Sequence, residues 1–194
     1  MMNEKILAIN PGSTSSKIAV FNGEECIFTT NLSHNVEEIS RLQNYEDQYE
    51  FRKNIIITEL EKAGIPINDI KIIVGRGGVI KPLTSGVYAI NDAMKEDLKK
   101  GWEVSKHGAN LAGFIAEEMS KSIPGSQAVI ADPPIADELD DIARLTGHPD
   151  FSKRSVFHAL NQKAISRKHA NEKGLVYEDL NLIVAHLGGG ISIG

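Results

Sequence analysis

The 194 residues include a single cysteine, Cys26, and no apolar run that approaches the ~20 residues of a membrane span. One thiol excludes a disulfide framework and a thiolate metal site. In a candidate strand Cys26 reads as a small buried side chain, and a reducing cytoplasm fits. Basic charge is scarce as well. The 21 Lys and Arg are outnumbered by 26 Asp and Glu, for a formal charge of -5, and they are scattered along the chain. No concentrated basic face is available, so neither nucleic acid nor an anionic membrane is an expected partner. The six histidines include no pair at metal-ligand spacing and no H-E-x-x-H, which excludes a structural zinc site. The N-terminus leads straight into a strand and shows no signal-peptide pattern. A hydrophobic content of 41% is enough for a core, in one large domain or two small ones.

Against these absences stand two apolar strands that run directly into turns of glycine and small hydroxyl residues. One is Ile6-Leu7-Ala8-Ile9-Asn10-Pro11-Gly12-Ser13-Thr14-Ser15-Ser16-Lys17, and the other is Leu182-Ile183-Val184-Ala185-His186-Leu187-Gly188-Gly189-Gly190-Ile191-Ser192. Such turns expose backbone N–H groups and hydroxyls where an anion can sit. Two copies of the same strand, turn, strand grammar imply a duplicated fold with a phosphoryl group or nucleotide held between its halves.

The order of elements predicts an α/β fold. Strands at 5–10, 17–21 and 26–30 open the chain, the last two joined at Asn22-Gly23, which favours a tight hairpin. The unbroken apolar run of the first places it at a sheet centre, covered on both faces. A helix follows from an Asn44 cap, with Tyr45, Tyr49, Ile56, Leu60 and Ala63 at helical spacing and a stop at Gly64 and Pro66. A strand at 71–74 breaks into Gly75-Arg76-Gly77-Gly78. Helical patterns cover 92–100 and 107–121, a strand at 128–131 runs into Asp132-Pro133-Pro134, and further helices are expected at 136–145 and from His158 to Asn171. This is a mixed sheet with helices on its faces, with a domain boundary expected after residue 150 and a second domain beginning at 151–194.

Familiar motifs fail on spacing. The first turn lacks the leading glycine of a Walker A loop, and neither glycine cluster satisfies G-x-G-x-x-G. Gly190-Ile191-Ser192-Ile193-Gly194 does match the G-x-S-x-G elbow of serine hydrolases. Its serine, however, sits among β-favouring isoleucines and not at a strand-to-helix turn. Asn10, Ser13, Thr14, Ser15, Ser16 and Lys17 form a dense donor set directly after a buried strand. Arg76, flanked by glycines, could grip a carboxylate or phosphoryl group bidentately; a solvated turn arginine is the alternative. Asp132 reads as a ligand or a plain turn, and His158 and His186 as site residues or packed histidines. Magnesium leaves almost no sequence trace, and Asn10 or Asp132 could hold it directly or through water.

With these residues the chain resembles the acetate kinase and butyrate kinase family, within the group that shares the sugar kinase, Hsp70 and actin fold with its ribonuclease H-like sheets. Asn10 to Lys17 looks like the family's first phosphate motif and His186-Leu187-Gly188-Gly189-Gly190 like its second. Val74-Gly75-Arg76-Gly77-Gly78, Ala131-Asp132-Pro133-Pro134 and Ser155-Val156-Phe157-His158-Ala159-Leu160-Asn161 are more similar to the butyrate and branched-chain fatty acid kinases, and Gly189 stands where acetate kinases carry asparagine.

The resemblance implies phosphoryl transfer between ATP and a short or branched fatty acid, with Mg2+. Arg76, Asp132 and His158 would be catalytic. Asn10, Ser13, Ser15, Lys17, His186, Gly188, Gly189 and Gly190 would bind the phosphates, and Asn10 the metal. It also implies a homo-oligomer when full length. Family members are longer, with their adenosine pocket, a second substrate arginine and a magnesium-binding glutamate beyond the position of Gly194. A fragment that folds but binds nucleotide weakly is the corresponding alternative.

Overall fold

Strand β1 (Lys5–Pro11) lies inside a six-stranded sheet, with Leu7 and Ile9 fully buried and Ile6 and Ala8 half-buried. This computed structural model describes residues 4–42, 44–188 and 191–194. β1 pairs antiparallel with β2 (Ser15–Asn22), and β2 pairs antiparallel with β3 (Glu25–Ser33). The loop between β2 and β3 is Gly23-Glu24, one residue later than the Asn22-Gly23 expected. Gly23 has φ +60, which glycine adopts without cost. On its other side β1 runs parallel to β4 (Ile70–Arg76), and β4 runs parallel to β6 (Gln127–Ala131). A short antiparallel strand, β5 (Val87–Ala89), closes that edge; three residues carry too little alternation to be read from sequence. The order is β3-β2-β1-β4-β6-β5, the mixed sheet that the pattern of elements predicts.

Helices cover this sheet. A short α1 (Val36–Arg41), not expected from sequence, precedes α2 (Tyr45–Lys62). Asn44 precedes α2, but its side chain contacts Asp47 and accepts no backbone N–H. The face that α2 buries is Gln48, Arg52, Ile56 and Leu60, while Tyr45 and Tyr49 are half-buried. α3 (Asp92–Ser105) is capped by the Asn91 side chain. The expected helix at 107–121 resolves into a 3-10 turn, Gly108–Leu111, and α4 (Ala112–Ser122), with Leu111, Ala112, Ile115 and Met119 all fully buried. Gly75 lets β4 pass under α4, since a Cβ there would lie 2.7 Å from the Ala112 carbonyl oxygen. Cys26 is a correction. β3 is an edge strand, and the thiol it was expected to bury is exposed.

Packing divides the chain into two compact units, Met1–Lys81 with Val87–Ala131, and Pro82–Gly86 with Asp132–Gly194. In the second unit the helix expected at 136–145 is absent. Asp137 N–H donates to Leu83 O (2.8 Å), and Arg144 forks onto both Asp137 carboxylate oxygens at 2.8 and 2.9 Å. These bonds hold the backbone extended, leaving one 3-10 turn, Asp141–Arg144, with Ile142 78% exposed and Leu139 and Ala143 half-buried. α5 (Ala159–Lys173) ends at Gly174, φ +65. The final hairpin is β7 (Ala185–Leu187) and β8 (Ile191–Ile193). The strand expected from Leu182 starts three residues later, and its apolar side chains are exposed, Ile183 at 88% and Leu187 at 73%.

Candidate active site

In the first unit the turn between β1 and β2 is pinned from behind. Its backbone closes through Gly12 N–H to Ser15 O at 2.7 Å, and His34 N–H donates to Thr14 O at 2.9 Å. Arg52, 1% exposed on α2, donates to Ser13 O (2.9 Å), Ser15 O (3.0 Å) and Ser16 Oγ (3.1 Å). Ser16 Oγ also lies 2.8 Å from His34 Nε2. Burial, and then the Arg52 charge, depress the His34 pKa to about 4, so the ring is neutral near pH 7. Ser13, Thr14 and Lys17 are exposed and Ser15 half-buried. The inward carbonyls therefore belong to the scaffold, and the hydroxyls of Ser13 and Thr14 and the Lys17 ammonium stay available to an anion.

Arg76 ends β4 as Asn10 nears the end of the parallel β1, and its guanidinium donates to Asn10 Oδ1 at 3.2 Å. Carboxyl ends of adjacent parallel strands are where open α/β sheets gather ligands. A further residue belongs here that motif reading missed. His107 precedes the 3-10 turn, its Nδ1 accepts from Ala109 N–H (3.1 Å), and burial followed by the Arg76 charge lowers its pKa. The neighbouring Gly108 packs against the Gly12 and Pro11 carbonyls so closely that any Cβ would collide with them. The sequence did not single it out, because His107 opens the helical pattern read at 107–121.

Asp132, His158, His186 and Gly188 lie in the second unit. Asp132 follows β6 directly with φ +35, a left-handed conformation that a non-glycine residue adopts at a cost and that clusters at functional sites. It is held by a reciprocal pair: Asp132 N–H donates to Gly86 O (3.0 Å), and Gly86 N–H donates to Asp132 Oδ1 (2.8 Å). The Lys163 ammonium lies 4.0 Å from that same oxygen and 3.5 Å from Glu138, and donates to Ser85 Oγ.

The His158 and His186 rings stack with centroids 3.9 Å apart, and His186 Nδ1 lies 3.0 Å from Asn161 Oδ1. His158 Nδ1 lies 2.7 Å from Ser192 Oγ. Gln162 Nε2 reaches the Val184 and Ser192 carbonyls at 3.3 and 3.2 Å, which fixes its amide orientation, and donates to Ser192 Oγ at 3.3 Å. The Ser192 hydroxyl can donate to Nδ1 or accept from it, so this contact ties the His158 ring to β8 in either tautomer. Ser192 sits in the middle of β8, so the elbow geometry of a hydrolase is absent around it. Gly189 and Gly190 lie outside the described residues, and Gly188 is exposed at the end of the hairpin's first strand.

The sequence that forms these two units has known relatives. Butyrate kinase 1 of Clostridium acetobutylicum is 49% identical over 190 residues, covering 98% of this chain and 53% of that protein. The chain is similar to butyrate kinases. A probable butyrate kinase of Bacteroides thetaiotaomicron is 51% identical over 189 residues, 97% of this chain and 53% of its own. The chain thus spans about half the length of the butyrate kinases that it matches. Among solved structures, the acetate kinase of Porphyromonas gingivalis superposes with a TM-score of 0.68 at 16% identity, over 98% of this chain and 54% of that one. A propionate kinase of Francisella tularensis gives 0.64 at 19% identity, over 98% and 54%. At those identities the likeness establishes the fold. No protein-family model matches the chain. The resemblance to butyrate kinases and the acetate-kinase-like fold are both borne out, and among the described residues no helix is long and apolar enough to cross a membrane.

Proposed function

We propose that this chain carries part of an ATP-dependent carboxylate kinase that converts a short or branched fatty acid of butyrate type to its acyl phosphate, reversibly. The observation that carries the reading is the Arg76 to Asn10 contact at the mouth of the hydroxyl-rich turn, in a sequence half identical to butyrate kinases. A fatty acid is already ionised at pH 7, so the attacking oxygen needs no general base, and catalysis reduces to positioning and charge neutralisation.

Each residue then has a role. Arg76 grips the carboxylate or the moving phosphoryl group, oriented by Asn10. Ser13, Ser15 and Lys17 bind phosphate oxygens in this reading, and His186, Gly188, Gly189 and Gly190 are assigned to phosphate binding as well. His158 donates a hydrogen bond to the equatorial phosphoryl oxygens in the transition state. Magnesium, when bound, supplies charge neutralisation along the polyphosphate. Asp132 suits its water shell: Gly86 occupies Oδ1, which leaves Oδ2 for a metal-bound water. Asn10 suits it less, because its Oδ1 already accepts from Arg76. Within this reading residues 1–150 form an N-terminal acetate-kinase-like domain, 151–194 begin a nucleotide-binding domain, and the full-length protein is a cytoplasmic homo-oligomer.

The test is trapping with hydroxylamine. Incubated with ATP, magnesium and butyrate or isobutyrate, the protein yields the acyl hydroxamate. A second reading, folding with weak nucleotide binding and no turnover, draws on the exposed apolar side chains of β7 and β8. A folded protein that forms no hydroxamate with any two- to five-carbon acid would favour it.

A further inference from the structure

Arg52 is the largest fully buried side chain among the described residues and a cation, yet its hydrogen bonds go to three neutral oxygens, Ser13 O, Ser15 O and Ser16 Oγ. Buried arginines are ordinarily matched by carboxylates, because an isolated ion in a low-dielectric interior is costly. Among the described residues no carboxylate pairs with it. The groups around it are the neutral His34, on Ser16 Oγ, and Gln48, whose amide is spent on the Ile39 and Leu42 carbonyls at 3.0 and 2.9 Å. The Arg52 Nε, the His34 Nδ1 and the Gln48 Oε1 are all buried without a protein partner. A purely structural clamp on three oxygens would not need a full charge, and the fork draws both carbonyl dipoles of the turn inward.

We propose that Arg52 is a positioning residue for anion binding at the Asn10 to Lys17 turn. It turns the Ser13 and Ser15 carbonyls away from the ligand and supplies from beneath a fixed positive charge, whose counter-ion is the bound phosphate. The inference rests on the reading of that turn as a phosphate site. It explains why the position between Gln48 and Ile56 on the buried face of α2 is arginine, where an apolar residue would pack without a desolvation cost.

The experiment measures pyrophosphate and ATP binding by titration calorimetry on the whole chain, with circular dichroism to confirm folding. Arg52→Gln, which keeps one donor and loses the charge, weakens both by about ten- to a hundredfold. Arg52→Lys keeps the charge without the fork and loses less, while hydrogen exchange at the amides of 12–16 quickens and that of β1 does not. Lys17→Ala, on the exposed side of the turn, is the reference. If Lys17→Ala weakens binding and folded Arg52→Gln binds like wild type, the inference is overturned and the turn remains a phosphate site. Should Arg52→Gln fail to fold, Arg52→Lys decides: unchanged exchange at 12–16 together with unchanged affinity overturns it. If the wild-type chain binds neither ligand, both readings fall together.

Discussion

The two units differ in what holds their candidate residues. In the first, fourteen buried side chains form one apolar cluster, from Leu7 and Ile9 on β1 to Met119 and Ile123 by α4, and the hydroxyl-rich turn rides on its edge. In the second, Ile142, Leu145, Phe151, Ile183, Ile191 and Ile193 are all exposed, and Asp132, His158 and His186 are placed by hydrogen bonds, ion pairs and ring stacking. The first site therefore answers to changes of volume and of buried charge in the packing beneath it, and the second to the loss of single polar contacts.

The largest test of that contrast falls in the first unit. Arg76→Ala lowers acyl phosphate formation by about a hundred- to thousandfold in a hydroxamate assay. A loss of only a few-fold removes Arg76 from its assigned role.

Next in size is a pH effect confined to the same unit. His34 is buried and neutral, its pKa depressed from 6.5 to about 4, so the unfolded chain takes up a proton that the folded chain refuses. Stability is complete above pH 6.5 and declines as pH falls from 6.5 to about 4, by roughly 3 kcal/mol across the window. Urea unfolding at pH 7 and 4.5 checks it, and His34→Gln flattens the dependence.

Gly108→Ala forces a methyl against the Gly12 carbonyl. It costs about 1–3 kcal/mol, read as an earlier urea midpoint with an unchanged slope.

The smallest effect lies in the second unit. Ser192→Ala removes the hydroxyl beside His158 Nδ1 and lowers turnover about tenfold. The wild-type protein stays unlabelled by a fluorophosphonate, because Ser192 sits mid-strand and not on a nucleophile elbow.

The same contrast governs how far the sequence could be read. Where a core exists, periodicity reported it: Leu111, Ala112, Ile115 and Met119 are buried as their spacing implies, and the apolar run of β1 does lie inside the sheet. Where little core exists, the same pattern misled. Leu139, Ile142 and Ala143 recur like a helix face, but the Arg144 fork on Asp137 and the Leu83 carbonyl hold that segment extended. The apolar approach to His186 reads as a buried strand and is largely exposed. Asn10 near the end of β1, Arg76 at the end of β4 and Asp132 just after β6 could be singled out as candidates, because a strand end shows in the apolar pattern. Arg52 and His107 were not. A charge on the buried face of α2 and a histidine before a 3-10 turn show their purpose only once the turn at Ser13 to Ser16 and Arg76 are beside them in space.

The central claim is that the Asn10 to Lys17 turn presents its outward donors to phosphate. The most direct measurement is a pyrophosphate titration of the ¹⁵N-labelled protein in phosphate-free buffer, following backbone amides. The account predicts saturable shifts concentrated at residues 12–17, with the amides of β3 unmoved. Unchanged amides at 12–17 up to millimolar pyrophosphate would contradict it.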